Sequence, residues 1–178
     1  MGEKPEKQAL ILIYTGEGKG KTSAAIGQAI RALGAGLRVG FGQFLKRDFQ
    51  AGEQKVLKQL LPPDMFLASG AGFFLDGRDH ERHRARALSL LDWAMEKLEG
   101  RVDLLVLDEV VYALGKNLIT PEELANLLDQ ARKTKSHLVL TGRNVPEWLA
   151  DQADLISDIR VVKHHFEQNI PARKGIEY

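Results

Sequence analysis

Residues 9–23 read ALILIYTGEGKGKTS, an unbroken apolar run followed by a loop that holds three glycines within five residues. A polyphosphate needs backbone N–H groups turned toward it, and glycines provide them because no Cβ atom stands in the way. The pattern after Lys21 is helical, and a helix N-terminus adds partial positive charge to such a loop. This stretch therefore predicts a strand, a phosphate-binding loop and a helix in succession.

The loop also carries the side chains that a nucleoside triphosphate and its cation require. The residues assigned to binding are Gly16, Glu17, Gly18, Lys19, Gly20, Lys21, Thr22 and Ser23. Lys21 is expected to reach the phosphate oxygens, and the Thr22 hydroxyl is expected to coordinate Mg²⁺. The pattern departs from GxxxxGK[ST] at Thr15, which stands in place of the first glycine. A dinucleotide-binding GxGxxG loop is excluded, because it would need a glycine in place of Lys21.

Short apolar runs continue to alternate with helical patterns along the rest of the chain, as expected for βαβ units. Most of the runs are apolar throughout, which is typical of strands that have helices on both faces of the sheet. We therefore predict a single-domain α/β fold of the P-loop NTPase-like (RecA-like) type, a three-layer sandwich with a mostly parallel sheet of about six strands. The predicted strands are 9–14, 38–44, 65–68, 103–107, 137–140 and 155–162.

Three helices carry recognisable signals. One is predicted over 21–34, with an apolar stripe formed by Ile26, Ile30 and Leu33. The longest is predicted over about 79–99. Thr120, Pro121 and Glu123 have the order of an N-cap, a proline at the first helical position and the reciprocal carboxylate of a capping box, which predicts the start of a third helix.

The composition bounds the remaining possibilities. The chain has 178 residues, with 25 Lys+Arg against 24 Asp+Glu. This balance argues against a general nucleic-acid or membrane-surface binder, which needs an excess of basic residues. The absence of cysteine excludes a disulfide framework, a thiolate zinc site and a cysteine nucleophile. We predict a disordered leader over 1–8, one domain over 9–178, no membrane segment and a cytoplasmic location.

Two further segments are expected at the carboxyl edge of the sheet. Asp108 and Glu109 follow the strand 103–107, where carboxylates can hold Mg²⁺ or its water shell beside the loop. The alternative is that they are solvated turn residues. Arg143 follows the fifth strand, at the edge where ligands of wound α/β folds bind. It is expected to contact a phosphate or a carboxylate, unless it is a surface residue without a ligand.

Three other groups have more than one interpretation. His80 and His83 lie three apart on a predicted helix, but the arginines around them favour a charged turn or an anion contact over a metal site. The Lys-His-His segment 163–165 either faces an anionic substrate or is an exposed strand end. Phe73 and Phe74 lie on a glycine-rich segment, where an aromatic ring either stacks on a flat ligand or anchors the loop in the core.

A series of motifs runs in order along nearly the whole chain: YTGEGKGKTSAAIGQAIRALG, GQFLK, GAGFF, DLLVLDEVVYAL, LTGRN, DLISDIRVVKHHF and KGIEY. Together they resemble the P-loop type corrinoid adenosyltransferases, which comprise ATP:cob(I)alamin and cobyrinic acid a,c-diamide adenosyltransferases. GKGKT alone is generic, whereas its combination with LTGR, VKH and KGIEY in this order is specific to that family.

The resemblance implies a reaction that the loop alone does not. A corrinoid reduced to Co(I) attacks the 5′ carbon of ATP, a cobalt–carbon bond forms, and tripolyphosphate leaves, in adenosylcobalamin biosynthesis or salvage. Because Co(I) is itself a strong nucleophile, the protein needs no catalytic base, which agrees with the absence of a GxSxG or zinc-ligand motif. Lys21, Mg²⁺ and the loop amides would stabilise the charge on the departing triphosphate.

The resemblance also implies residue roles and partners. Lys21 and Phe73 are the expected catalytic residues, and Phe73 matches an aromatic residue that packs on the corrin and helps to remove the lower ligand of cobalt. The residues implied for Mg²⁺ are Thr22, Glu109 and Asp108. Leu75 stands where the family often has tryptophan, which is a departure in the same loop. A homodimer and a flavodoxin-like flavoprotein reductant are implied as well.

Two other functions stay open on the sequence. A P-loop kinase or ATPase would have the same loop and the same Asp108-Glu109 pair, and it would release ADP. A non-enzymatic protein that stores or delivers a corrinoid would bind it without consuming ATP, and Leu75 is the feature that favours this alternative.

Overall fold

A computed structural model describes residues 8–72 and 79–176. Its centre is a six-stranded sheet in which every pairing is parallel, in the order β3-β2-β4-β5-β1-β6. The strands are β1 (Ile11–Thr15), β2 (Val39–Gln43), β3 (Phe66–Ala68), β4 (Leu104–Asp108), β5 (His137–Thr141) and β6 (Leu155–Asp158). The predicted α/β class, the parallel sheet and the six strand positions are confirmed. The predicted leader lies, apart from Gln8, outside the described residues.

Helices connect the strands and cover both faces of the sheet. They are α1 (Lys21–Gly34), α2 (Gly52–Leu60), α3 (His80–Glu99), α4 (Val110–Gly115), α5 (Pro121–Thr134) and α6 (Glu147–Ala150), with short 3₁₀ helices at Pro63–Met65 and His165–Gln168. The predicted long helix and the capping box are confirmed, because Thr120 and Glu123 exchange side-chain hydrogen bonds with each other's backbone N–H. The helices α2, α4 and α6 were not predicted.

Alternating residues of the strands enter two separate cores. In β4, Leu105 and Leu107 pack in the core that includes α3 and α5, whereas Leu104 and Val106 pack in the core that includes α1 and α2. Both faces of the central strands are therefore covered, which explains why their sequences are apolar without alternation. The result is the predicted three-layer sandwich.

The face that α1 turns to the sheet differs from the prediction. Its buried apolar residues are Ala25, Ala29 and Ala32. Ile26 and Leu33 pack only partly against that core, and Ile30 is 48% exposed. The predicted stripe is therefore wrong for Ile30, because the alanines face the sheet and the larger side chains lie beside or outside the contact.

The last strand is shorter than predicted. The expected strand 155–162 ends at Asp158, and the chain then leaves the sheet at Ile159. Ile159 contacts the glycine-rich loop after β1 instead of continuing the strand. Within residues 8–72 and 79–176, no helix has the length and apolar character that crossing a membrane requires.

Candidate functional site

The glycine-rich loop joins β1 to α1 at the carboxyl edge of the sheet. It borders a cavity of about 460 Å³, whose lining is Lys19, Gly20, Lys21, Thr22, Ser23, Ile26, Lys46, Gly52, Glu53, Glu109, Gly175 and Ile176. Gly16 and Gly20 have φ values of 101° and 130°, which side chains rarely tolerate. The sequence prediction of a strand, a loop and a helix in succession is confirmed here.

The side chain of Lys21 lies within the curve of the loop. Its Nζ donates hydrogen bonds to the carbonyl oxygens of Gly16 at 2.7 Å and of Gly18 at 2.9 Å. The residue is only 7% exposed. Burial, assisted by the positive charge of Arg143, lowers the pKa of Lys21 below 10.5. The loop therefore holds a desolvated ammonium group at the edge of the cavity.

Two of the loop glycines are required by contacts within the protein. A Cβ atom at Gly18 would lie 2.6 Å from the carbonyl oxygen of Ile159, and one at Gly16 would collide with the Asp158 carboxylate. The Gly18 N–H donates to the Ile159 carbonyl oxygen at 2.7 Å. This amide therefore faces the chain after β6, and the glycines serve packing as well as any ligand.

Asp108 lies at the end of β4 and is fully buried. Its Oδ1 accepts hydrogen bonds from the hydroxyl groups of Thr22 at 2.9 Å and Thr141 at 2.8 Å. Its Oδ2 accepts from Gln43 Nε2 at 3.1 Å and Lys46 Nζ at 3.0 Å. The structure thus brings Thr22 and Asp108 together, as the sequence predicted, and excludes the alternative that Asp108 is a solvated turn residue.

Glu109 is the next residue and borders the same cavity. Its backbone is left-handed, with φ of 64°, and its N–H donates to Thr141 Oγ1 at 2.8 Å. Burial, reinforced by the negative charge of Asp108, raises the pKa of Glu109 above 4.5. The carboxylates of Asp108 and Glu109 and the hydroxyl groups of Thr22 and Thr141 therefore lie close together beside the loop.

Lys46 also belongs to this cluster and was not predicted from the sequence. Its Nζ lies 3.1 Å from Glu53 Oε1 and 3.4 Å from Thr22 Oγ1, in addition to its contact with Asp108. Burial alone would lower the pKa of Lys46, but the carboxylates of Asp108 and Glu53 outweigh it and raise that pKa above 10.5. The available signal was a lysine just after β2, in the motif GQFLK.

Arg143 lies beside the loop. Its Nη1 donates to Glu17 Oε2 at 2.6 Å, and both side chains are about half exposed, at 48% and 62%. This ion pair lies within the protein, so the expected contact of Arg143 with a ligand phosphate or carboxylate stays a prediction. It is not among the residues that line the cavity.

The remaining candidates lie elsewhere. His80 is exposed and His83 is buried on α3. Among the described residues, no group of three or more His, Asp or Glu side chains has the arrangement of a metal site. His164 and His165 stack on each other at 4.5 Å in an exposed segment. Phe73 and Phe74 lie outside the described residues.

The C-terminal segment was not predicted to contact the loop, although KGIEY is part of the resemblance. Gly175 and Ile176 line the same cavity as the start of α1. Ile176 is 63% exposed. The apolar part of the cavity lining thus comes from Ile26 and from this segment.

Comparison with known proteins identifies relatives over nearly the whole chain. Residues 7–178 match the family described as ATP:corrinoid adenosyltransferase BtuR/CobO/CobP. The chain is 34% identical to a corrinoid adenosyltransferase of Pseudomonas aeruginosa, over 97% of this chain and 85% of that protein. It is 33% identical to corrinoid adenosyltransferase CobA of Salmonella typhimurium and 32% identical to a corrinoid adenosyltransferase of Escherichia coli K12, in each case over 100% of this chain and 90% of the relative.

Proposed function

The chain belongs to the ATP:corrinoid adenosyltransferase family, and on that premise we propose that it transfers the 5′-deoxyadenosyl group of ATP to the Co(I) centre of a corrinoid and releases tripolyphosphate. It is a transferase of adenosylcobalamin biosynthesis or salvage. The observation that carries the proposal is a glycine-rich loop with a buried lysine, next to Thr22 and Asp108, in a chain that matches this family from residue 7 to residue 178.

The reaction needs little acid–base chemistry from the protein. The electron pair of Co(I) forms the bond to the 5′ carbon of ATP, and cobalt becomes Co(III). The carbon–oxygen bond breaks, and its electron pair leaves with tripolyphosphate. The site therefore acts by holding two substrates in line and by stabilising charge on the leaving group.

Lys21 and the loop are proposed to bind the triphosphate. The cofactor-binding residues in this proposal are Gly16, Glu17, Gly18, Lys19, Gly20, Lys21, Thr22, Ser23 and Arg143. A buried ammonium ion stabilises a phosphate anion more than an exposed one does, because little water competes for it. The burial of Lys21, with its Nζ held by two loop carbonyl oxygens, supports this role. Arg143 lies close enough to Glu17 to orient the rim of the loop.

The residues near the loop suit Mg²⁺. Thr22, Asp108 and Glu109 offer hard oxygen donors, and Mg²⁺ sites in proteins commonly combine one or two carboxylates with substrate phosphates. When bound, Mg²⁺ would neutralise charge on the triphosphate. Asp108 already accepts four hydrogen bonds, so it suits an orienting role toward Thr22 and metal-bound water. Glu109 borders the cavity and suits direct contact.

Phe73 is proposed to pack on the corrin and to assist removal of the lower cobalt ligand, as the family resemblance implies. The described residues on either side are Gly72 and Asp79. Gly72 ends the segment 70–72, which is hydrogen-bonded to residues 45–47 beside the proposed phosphate site. This proximity supports a corrinoid position beside the triphosphate.

We propose three further properties on the same basis. The protein is a homodimer, and the exposed apolar side chains of Val161, Val162 and Phe166 beyond β6 support an interface with another chain. The reductant is a flavodoxin-like flavoprotein that delivers the electron for Co(I). The location is cytoplasmic, which agrees with a chain that contains no cysteine. Light scattering of the purified protein tests the dimer.

Adenosyl transfer is tested anaerobically with chemically reduced Co(I) corrinoid and MgATP. The proposal expects the absorption spectrum of a light-sensitive adenosylcorrinoid to appear. A corrinoid spectrum that shows binding but no new carbon–cobalt bond, with ATP intact, would instead identify a storage or delivery protein.

A further inference from the structure

We propose that Lys46 is an internal counter-cation of the phosphate site, which competes with a divalent cation for Asp108 and Thr22 and makes metal binding depend on the phosphates of the nucleotide. The inference rests on the proposed function for the identity of that nucleotide. It assigns a positioning role to a residue outside the loop.

Two of the three contacts of Lys46 are with groups of the proposed metal site, namely Asp108 and Thr22. Its Nζ lies 3.0 Å from Asp108 Oδ2, 3.1 Å from Glu53 Oε1 and 3.4 Å from Thr22 Oγ1. A divalent cation draws on the same carboxylate and hydroxyl group. An ammonium ion and a metal ion that share donors at such short range repel each other, so the presence of one weakens the binding of the other.

The charges around Lys46 explain why a cation is needed there. Asp108 is fully buried, and a buried carboxylate without a partner is strongly destabilising. Lys21, the other lysine at the site, is already held by loop carbonyl oxygens. Lys46 is therefore the ammonium group that directly compensates Asp108, while Glu53 holds it from the other side.

The backbone fixes the reach of Lys46. The preceding residue, Leu45, has a left-handed backbone with φ of 65°, and the Lys46 carbonyl oxygen accepts from the Gly70 N–H at 2.8 Å. A Cβ atom at Gly70 would collide with the backbone of Leu45, so these two segments lie in direct contact. The ammonium group thus reaches Asp108 from a segment that is packed against residues 70–72.

Triphosphate changes this balance. Its oxygens supply additional negative charge and additional ligands, so metal and ammonium no longer depend on the same two groups. Lys46 borders the cavity and would then add its charge to the phosphates. The metal would enter with the nucleotide rather than before it.

Mn²⁺ alone, added to the full-length protein without nucleotide or corrinoid, tests the inference through the electron paramagnetic resonance signal of free Mn²⁺. Lys46→Met is expected to bind Mn²⁺ about tenfold or more tightly than the original protein, because the competing charge is gone. Lys46→Arg, which keeps the charge, is expected to stay within about threefold of the original affinity. Lys58→Met is the matched control, since Lys58 pairs with Asp48 away from the cavity.

Lys46→Gln covers the case in which Lys46→Met fails to fold, because the neutral amide can still donate to Asp108. It too is expected to bind Mn²⁺ more tightly than the original protein. If the folded neutral variants bind Mn²⁺ no more tightly than the original protein, the inference is overturned. This outcome leaves adenosyl transfer untouched, since neither substrate is present in the assay.

Discussion

Among single residues, Lys21 is expected to matter for ligand binding and to contribute little to the stability of the fold. The sequence predicts that it faces a ligand rather than the core, and the structure shows it buried against the loop's own carbonyl oxygens. Since burial already disfavours its charged form, the lysine contributes little to the stability of the protein without a ligand. We therefore expect the positive charge of Lys21 to contribute mainly when an anion binds beside it.

Lys21→Met is therefore expected to weaken ATP binding by roughly 10- to 100-fold, the scale of ~1.5–3 kcal/mol for a hydrogen bond to a charged group. Isothermal titration measures this, and thermal unfolding without nucleotide should shift by only a few degrees, about 1 kcal/mol or less. Lys55→Met on the exposed side of α2 is the control for both measurements. A collapse of the melting temperature without nucleotide would instead assign Lys21 a structural role.

Glu109, in contrast to Lys21, is expected to lower the stability of the folded protein when its side chain is ionised. Its raised pKa means that ionisation is less favourable in the folded than in the unfolded state, so stability is lost as the pH rises through the folded pKa. Glu109→Gln is expected to raise the unfolding free energy at pH 7 by about 1 kcal/mol and to lower Mg²⁺-dependent ATP affinity. Urea unfolding should show the gain at neutral pH and none below pH 4.5. A variant that is less stable at pH 7 would refute this reasoning.

A site residue could be predicted from the sequence when it lies within or next to a recognisable motif. Thr22 and the Asp108-Glu109 pair were found because a loop motif and an acidic strand end have known chemistry. Lys46 was not found, because it lies 24 residues from Thr22 and 62 from Asp108, and only the pairing of β2 with β4 brings it to them. A lysine after a strand is too common to indicate that contact by itself.

Among the elements, the loop and helix α1 differ in how well their glycines should tolerate replacement by alanine. Gly18→Ala places a methyl group 2.6 Å from the Ile159 carbonyl oxygen, so it is expected to destabilise the protein by about 1–3 kcal/mol and to weaken ATP binding. Gly27→Ala is the matched control on α1, where a methyl group meets no atom within 4 Å. It is expected to stabilise by about 0.5–1 kcal/mol.

Chemical unfolding of both variants measures the two effects. If Gly18→Ala and Gly27→Ala change the unfolding free energy by the same amount, the contact between the loop and the chain after β6 does not constrain the loop.

An ion pair at the start of α5 joins this helix to α3, and its contribution to stability depends on pH. Arg84 on α3 donates to Glu123 at 2.6 Å and 2.5 Å, and this hydrogen bonding lowers the pKa of Glu123. A depressed carboxyl pKa contributes stability that is present above the unfolded value and is lost as the pH falls through the folded value. Glu123→Gln keeps the capping geometry, so it is expected to cost about 0.5–1 kcal/mol at pH 7.

Parallel urea titrations over a pH series check this prediction. The difference between Glu123→Gln and the original protein should vanish as the pH falls below 4.5. A difference that persists in acid would show that the amide disturbs the capping box rather than the ion pair.

The elements that could be predicted are those with a strong local pattern. Six apolar runs gave the six strands, and the capping residues gave the start of α5. The short helices α4 and α6 have 6 and 4 residues, too few for a helical period to show. On α1 the large apolar residues predicted a buried face that is wrong for Ile30. The alanines face the sheet, because their small side chains allow the helix to pack closely on it.

At the scale of the whole molecule, strand order creates the site. The carboxyl ends of β1, β2, β4 and β5 lie side by side in the sheet. They deliver, in that order, the phosphate-binding loop, Lys46, Asp108 and Thr141. The sequence predicted a parallel sheet but not its order, because order depends on packing between distant segments. The proposed site therefore depends on the topology of the sheet as much as on any motif.

We propose that this arrangement transfers an adenosyl group and does not hydrolyse or transfer a phosphate. Phosphorus NMR of the products after anaerobic turnover with Co(I) corrinoid and MgATP tests it most directly. The expected product is tripolyphosphate, one molecule for each adenosylcorrinoid formed. ADP in place of tripolyphosphate would contradict it, and would mean that the loop carries out ordinary phosphoryl chemistry.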